Sequence, residues 1–274
     1  MPGFLPYLLV ALLYAGLGWH FRRSFMPGKT PQSGTTAGGA RMAAFAPLVL
    51  HGWLLFQALF ADGALTLGFG NAILAIAWLT VLVYWLASFH YPLDGLQMLV
   101  LPVAAGCLLV AGLLPEAPPL SHTGFTAFKA HLLISLLAYS LFTIAALHAL
   151  LMALTEHRLH DRMLSKMLRN LPPLLTMETL LFRITWAGFV LLTLAILSGV
   201  MFSEELFGKA MQFSHKTLFA LLSWGVYAVL LGGRHFYGWR GRTAITWSLA
   251  GFAMLLLGYL GSKFVVEIIL HRGG

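Results

Sequence analysis

Three histidines stand where chemistry inside a membrane would need them. His51 is the ninth residue of an apolar stretch reading APLVLHGWLLFQALF at its centre, His131 lies one turn into GFTAFKAHLLISLLAYSLF, and His215 opens HKTLFALLSW. A neutral imidazole costs less to bury than a carboxylate, and it is a common metal ligand. The apolar stretches hold almost no Asp or Glu, which argues against a proton relay or a cation pathway. His131 and His215 enter from one side, on separate helices and at similar depth. That arrangement suits axial ligation of a planar iron macrocycle from its two faces. Below His131, Ser135, Ala138 and Phe142 follow at helical spacing, a mostly small-residue stripe that admits either a close helix neighbour or a flat ligand. His51, near the bilayer centre, is a candidate ligand of a separate intramembrane site, with packing against a neighbouring helix as its plain alternative.

Lys263 and Glu267 lie four residues apart in YLGSKFVVEIIL. They form an i,i+4 ion pair, or Lys263 neutralises a ligand carboxylate such as a haem propionate. His148 follows His131 by one long helical run, about 25 Å deeper, and cannot share its site. His20, His90, His157, His160 and His235 fall at the cytoplasmic edge, and His122 and His271 on the outer side. Trp53, Trp78, Trp85, Trp186 and Trp224 read as belt or packing residues that are also placed to wall a site.

The elements that must position these groups are membrane spans. The chain of 274 residues is 59% apolar and 9% charged, with a mean hydropathy of +0.83, far from the make-up of soluble domains. At about 20 apolar residues per crossing, the pattern predicts eight transmembrane helices, at about 4–20, 43–61, 71–89, 95–114, 127–154, 179–202, 214–232 and 244–270. The expected fold is all-α, a polytopic helical bundle forming a single integral-membrane domain over 1–274. The first stretch lacks a basic residue before it and a small-residue cleavage site after it, and is followed by Arg22 and Arg23. It therefore reads as an anchor rather than a signal peptide.

Alternate loops carry the basic residues: Arg22, Arg23, Lys29 and Arg41; then Arg158, Arg162, Lys166 and Arg169; then Arg234, Arg240 and Arg242. The positive-inside rule puts these loops in the cytoplasm and both termini outside. The net charge of +8 is therefore a topology signal and not a nucleic-acid surface. Residues 28–40 read as a flexible linker, and 156–175 as a short interfacial helix ended by Pro172 and Pro173. A single cysteine, Cys107, excludes an intrachain disulfide, a CxxC redox pair and CxxCH haem attachment.

Three stretches carry a family resemblance: AHLLISLLAYSLFTIAALHALLMAL, LPPLLTMETLLFRITWAGFVLLTLAILSGVMFSEELFGKAMQFSHKTLFALLSWGVYAVLL and GWRGRTAITWSLAGFAMLLLGYLGSKF. The chain resembles the cytochrome c assembly (CcsA-like) transmembrane family, within it the YpjD or HemX-like branch, with a core over about 43–270. The resemblance implies a haem-handling protein of the bacterial inner membrane acting in cytochrome c biogenesis, with haem b as cofactor and other cytochrome c maturation proteins as partners. Full-length members open the helix matching the fifth span with a histidine, and His131 stands at that place. They also carry a tryptophan-rich WGxxWxWD loop before the helix matching the seventh span. Here that loop reads SEELFGKAMQFSHK, and Gly232 and Gly233 stand where the family has a further histidine. The expected role is therefore a haem-binding accessory without enzymatic activity of its own. A b-type cytochrome subunit is disfavoured because His51 has no partner at its depth, and a haem-free transporter or transport accessory is the alternative function.

Overall fold

The computed structural model describes residues 3–24, 39, 42–60, 65–91, 93, 95–114, 126–157, 172–207 and 215–264. Eight apolar helices account for nearly all of them: α1 (Phe4–Ser24), α2 (Phe45–Leu59), α3 (Phe69–Ala87), α4 (Gln97–Leu113), α5 (Thr126–His157), α6 (Leu174–Phe207), α7 (His215–Tyr237) and α8 (Gly241–Leu256). From α8 the chain runs through a π-helical turn, Leu257–Gly261, into a last turn, Ser262–Phe264. Six of these elements are long and apolar enough to cross a bilayer; α2 and α4 are apolar but shorter. The expected linker over 28–40, apart from Gly39, and most of the expected interfacial helix lie outside the described residues.

The outer faces carry Leu9, Leu12, Trp53, Trp186 and Leu197, all more than half exposed or close to it, as expected of surfaces solvated by lipid. Lipid tails are as apolar as the side chains, so close backbone approach and captured polar groups must hold the helices together. Both appear at each seam. A Cβ at Gly18 would lie 3.0 Å from Pro102, and one at Gly112 would lie 3.0 Å from Tyr7, so α1 and α4 run antiparallel in close contact. Tyr84 donates to Gln97 Oε1 at 2.8 Å and ties the end of α3 to the start of α4. Helices α1–α4 form one group and α5–α8 another, joined mainly where α3 packs on α5.

The second group is a closed ring in which α5, α6, α7 and α8 each touch the next and α8 returns to α5, an up-and-down four-helix arrangement. One end of the ring is tied by a buried carboxylate. Glu178, at the start of α6, receives Arg234 Nη1 of α7 at 2.6 Å and the Gly241 N–H, at the start of α8, at 3.2 Å. Arg234 also donates to the Trp239 carbonyl at 3.1 Å and lies over the Phe182 ring. The turn that allows this needs left-handed backbone at Gly238 (φ 66°) and Gly241 (φ 53°), and the Trp239 N–H closes α7 on the Gly233 carbonyl. Arg242 pairs with Glu156 of α5 at 2.8 Å in a much more exposed setting. Arg234, Arg240 and Arg242 thus gather at one end of the ring, as the alternation of basic loops requires.

The two ion pairs should differ sharply in worth. Glu178→Ala strands a partly buried guanidinium and should cost about 2–3 kcal/mol, whereas Arg242→Ala should stay within about 0.5 kcal/mol. Thermal unfolding of each variant in the same detergent checks the order, and equal midpoints would refute it.

Candidate functional site

At the end of the ring opposite Glu178 the four helices line a half-open cavity of about 500 Å³, within the size range of small-molecule sites. Each helix contributes a terminus: His131, Ser135 and Ala138 from the start of α5, Ala195 and Gly199 from the far part of α6, Lys216 and Thr217 from the start of α7, and Leu255 and Tyr259 from the end of α8. Most of the lining is apolar. The small stripe below His131 is divided between the cavity and a close helix neighbour. Ser135 and Ala138 face the cavity, while Phe142, fully buried, stacks on Tyr227 at 4.0 Å and receives α6 at Gly188, where a Cβ would lie 3.1 Å from its ring.

His131 is held in a defined orientation. Its Nδ1 is 2.8 Å from Ser198 Oγ, and Ser198 in turn donates to the Ala195 carbonyl at 3.1 Å. When Ser198 donates to the Ala195 carbonyl, the imidazole proton sits on Nδ1 and the lone pair on Nε2. Metal-ligating histidines are commonly fixed in this way. Gly199 lets α6 come this close, since a Cβ there would lie 3.2 Å from His131 Cε1. Among the described residues no three His, Cys, Asp or Glu side chains converge on a metal position.

The wall across from His131 is shaped by the π-helical turn of α8. Its wider turn leaves the Leu255 carbonyl to accept the Tyr139 hydroxyl at 2.9 Å, and it sets Tyr259 against both Tyr139 (6.0 Å between rings) and Lys216 Nζ (6.0 Å). Gly258 in the same turn is buried, with the Phe219 Cβ 2.9 Å from where its own would lie, so the first turn of α7 is seated directly on α8. Turns of this kind recur at functional sites.

The other candidates sit elsewhere. His215 is exposed at the head of α7 and is not among the lining residues; its neighbour Lys216 is. The Lys263 side chain and Glu267 lie outside the described residues. His51 is fully buried in the first helix group, its Nδ1 3.4 Å from the Tyr14 hydroxyl and its Nε2 without a hydrogen bond. His148 donates to the Met177 carbonyl at 2.9 Å, well down the α5–α6 seam from His131. None of the five tryptophans considered as walls lines the cavity. Trp78 donates to the Leu48 carbonyl and Trp224 to Thr193, both packing roles. Sequence reasoning missed Ser198, Tyr139, Lys216 and Tyr259. Only Lys216 had a signal, a cation one residue beyond a histidine at the head of a span.

A model of the family described as cytochrome C assembly protein matches residues 40–270. Inner membrane protein YpjD of Escherichia coli strain K12 is 37% identical over 139 residues, which cover 51% of this chain and 52% of that protein. Cytochrome c biogenesis protein CcsA of Prochlorococcus marinus is 38% identical over 98 residues, 36% of this chain and 31% of the relative. CcsA of Gloeobacter violaceus is 30% identical over 92 residues, 34% and 27%. The chain thus spans about half the length of the first of these relatives and a third or less of the others.

The His51–Tyr14 contact separates a packing histidine from a ligating one. Either Tyr14→Phe or His51→Leu leaves one buried polar atom without its partner and should cost about 1 kcal/mol, while the double variant removes both and should recover most of that loss. Thermal unfolding of the three variants checks this, and a double variant less stable than either single one would show that His51 holds a group of its own.

Proposed function

Because the chain belongs to the cytochrome c assembly protein family, we propose that it is a haem-binding accessory protein of cytochrome c biogenesis, with the cavity between α5 and α8 as its haem site. It is a multi-pass protein of the bacterial inner membrane. The observation that carries the haem reading is the hydrogen bond between His131 Nδ1 and Ser198 Oγ, which orients an imidazole lining an otherwise largely apolar cavity. Haem, when bound, supplies an iron that takes an axial imidazole.

In this reading His131 would hold the haem iron through its imidazole, and Ser198 would fix the ring plane. Ser135, Ala138 and Gly199 keep the space beside the imidazole clear for a flat body, and the tyrosine pair at the far wall limits how far that body slides. His215, next to the cavity-lining Lys216, is the candidate second ligand. His51, in the other helix group, is a separate and lesser candidate. The protein holds and passes haem rather than forming a thioether bond. The SEELFGKAMQFSHK segment, which replaces the family's tryptophan-rich loop, supports that accessory role. Other cytochrome c maturation proteins are its partners in this scheme.

The visible spectrum of the detergent-purified protein, oxidised and reduced, tests the proposal. Wild-type protein expressed with ample haem should show a Soret band and sharp reduced bands. His131→Ala should lose them, and Ser198→Ala should weaken haem affinity by about tenfold. His215→Ala should retain haem in a five-coordinate, high-spin form. A featureless wild-type spectrum would sink the haem reading.

A further inference from the structure

The cavity is half open, and its lining residues show on which side. Among those described, the ones from α5 and from the α8 end are buried or half-buried, whereas Val200 of α6 and Lys216 of α7 stand exposed. Three of the four seams are drawn tight at this level: Gly199 admits His131 between α5 and α6, Gly258 seats α7 on the end of α8, and Tyr139 of α5 donates to the Leu255 carbonyl of α8. The α6–α7 seam is filled differently, by one large side chain. Trp224 donates to Thr193 at 2.9 Å and stacks on Phe189 at 5.4 Å between ring centroids, and Thr193 passes its own proton to the Phe189 carbonyl. One and two turns further out, the same face of α7 carries Ala220 and Thr217, and the matching face of α6 carries Ile196 and Val200. All four line the cavity. At Gly225, on the flank of α7 beside Trp224, there is open space where a Cβ would stand.

We infer that the α6–α7 seam, outward from Trp224, is a lateral portal through which the cavity takes its ligand from the acyl-chain layer of the membrane. Both edges of the seam are apolar and exposed, Leu197 and Met201 on α6 and Leu218 and Leu222 on α7. Val200 falls inside the stretch of α6 that is apolar enough to cross a bilayer, so the mouth faces lipid tails. Trp224 is its sill. The indole is partly exposed and is held across the seam by one side-chain hydrogen bond, a kind of contact that is weak between membrane helices. The sill therefore swings without unpacking the core of the ring. Such a portal admits a molecule that dissolves in lipid and turns away a hydrophilic one before any group in the cavity is met. This goes beyond the haem reading, since the route is the same for any lipid-soluble ligand; for haem it means delivery by the bilayer and not from the aqueous side.

Two measurements in lipid nanodiscs test the portal. The first needs no ligand: a nitroxide attached to Val200→Cys, with Cys107→Ala, is exposed to oxygen, which concentrates in lipid, or to a water-soluble nickel chelate. Collisions should be frequent with oxygen and rare with nickel, as for a label at Leu197→Cys on the lipid face. A nickel response matching that of a label at Arg242→Cys, in water, would overturn the portal. The second follows haemin uptake and release at the Soret band. Trp224→Ala should speed both by about tenfold and leave the dissociation constant unchanged. Thr193→Val, which frees the indole and keeps the packing, should speed both by about threefold. Unchanged rates in these variants, or an affinity lost through faster release alone, would overturn the portal with the haem site intact. Failure of the wild type to bind haemin would sink the haem reading, and the nitroxide result then decides the portal by itself.

Discussion

Glu178 and the end it closes set the shape of the ring formed by α5 to α8. Its two oxygens take a guanidinium from α7 and the first backbone N–H of α8, so three helices converge on one carboxylate. In lipid, side chains gain little by packing against one another rather than against acyl chains, and a charge-assisted contact of this kind carries more weight than it would in a soluble bundle. The opposite end is built differently. There the helices are held by the π-helical turn, Gly199 and Gly258, and the space that remains is the cavity. One end of the ring is locked and the other is hollow for related reasons.

The polar groups in the rest of the protein follow the same economy. Ser140, Thr143 and Thr155 return their hydroxyls to carbonyls one turn back on their own helix. Tyr139, Tyr227 and Ser223 reach across to a neighbour. His131 departs from this pattern in combining a polar hold on Ser198 with a face on the cavity. That combination singles out the site more than histidine content does, since His51 and His148 are more deeply buried and do not line this cavity.

The helices were legible because span length and composition are one-dimensional properties. Eight apolar segments were expected, and eight helices stand at those places. The bounds shifted where tertiary contacts intervene: α6 begins at Leu174, because the Pro173 carbonyl receives the first N–H groups of the helix, and it takes Glu178 into the bundle, where the sequence reading had left it outside. The two short helices, α2 and α4, looked like full spans because their apolar flanks blur into the count. Of the site, His131 and the stripe beneath it could be read from helical spacing alone. Ser198 could not, since nothing in ILSGVM says which turn of α6 faces α5. Lys216 was passed over for His215; both are exposed at the head of α7, adjacent residues on a helix point about 100° apart, and only the packing of α7 on α8 decides which of them lines the cavity.

Helix α5 has 32 residues and so runs about 48 Å, well beyond a hydrocarbon core of about 30 Å. If the excess is shared between its ends, His131 lies close to the boundary where acyl chains give way to headgroups and water. The cavity then straddles a steep dielectric gradient, with its apolar floor at Ala138 and Leu192 facing the low-dielectric side and the head of α7 facing the high. Any molecule with one polar edge feels a torque in such a field before it touches a side chain. The membrane itself therefore takes part in orienting what enters this end of the ring, a contribution that a detergent micelle reproduces only in part.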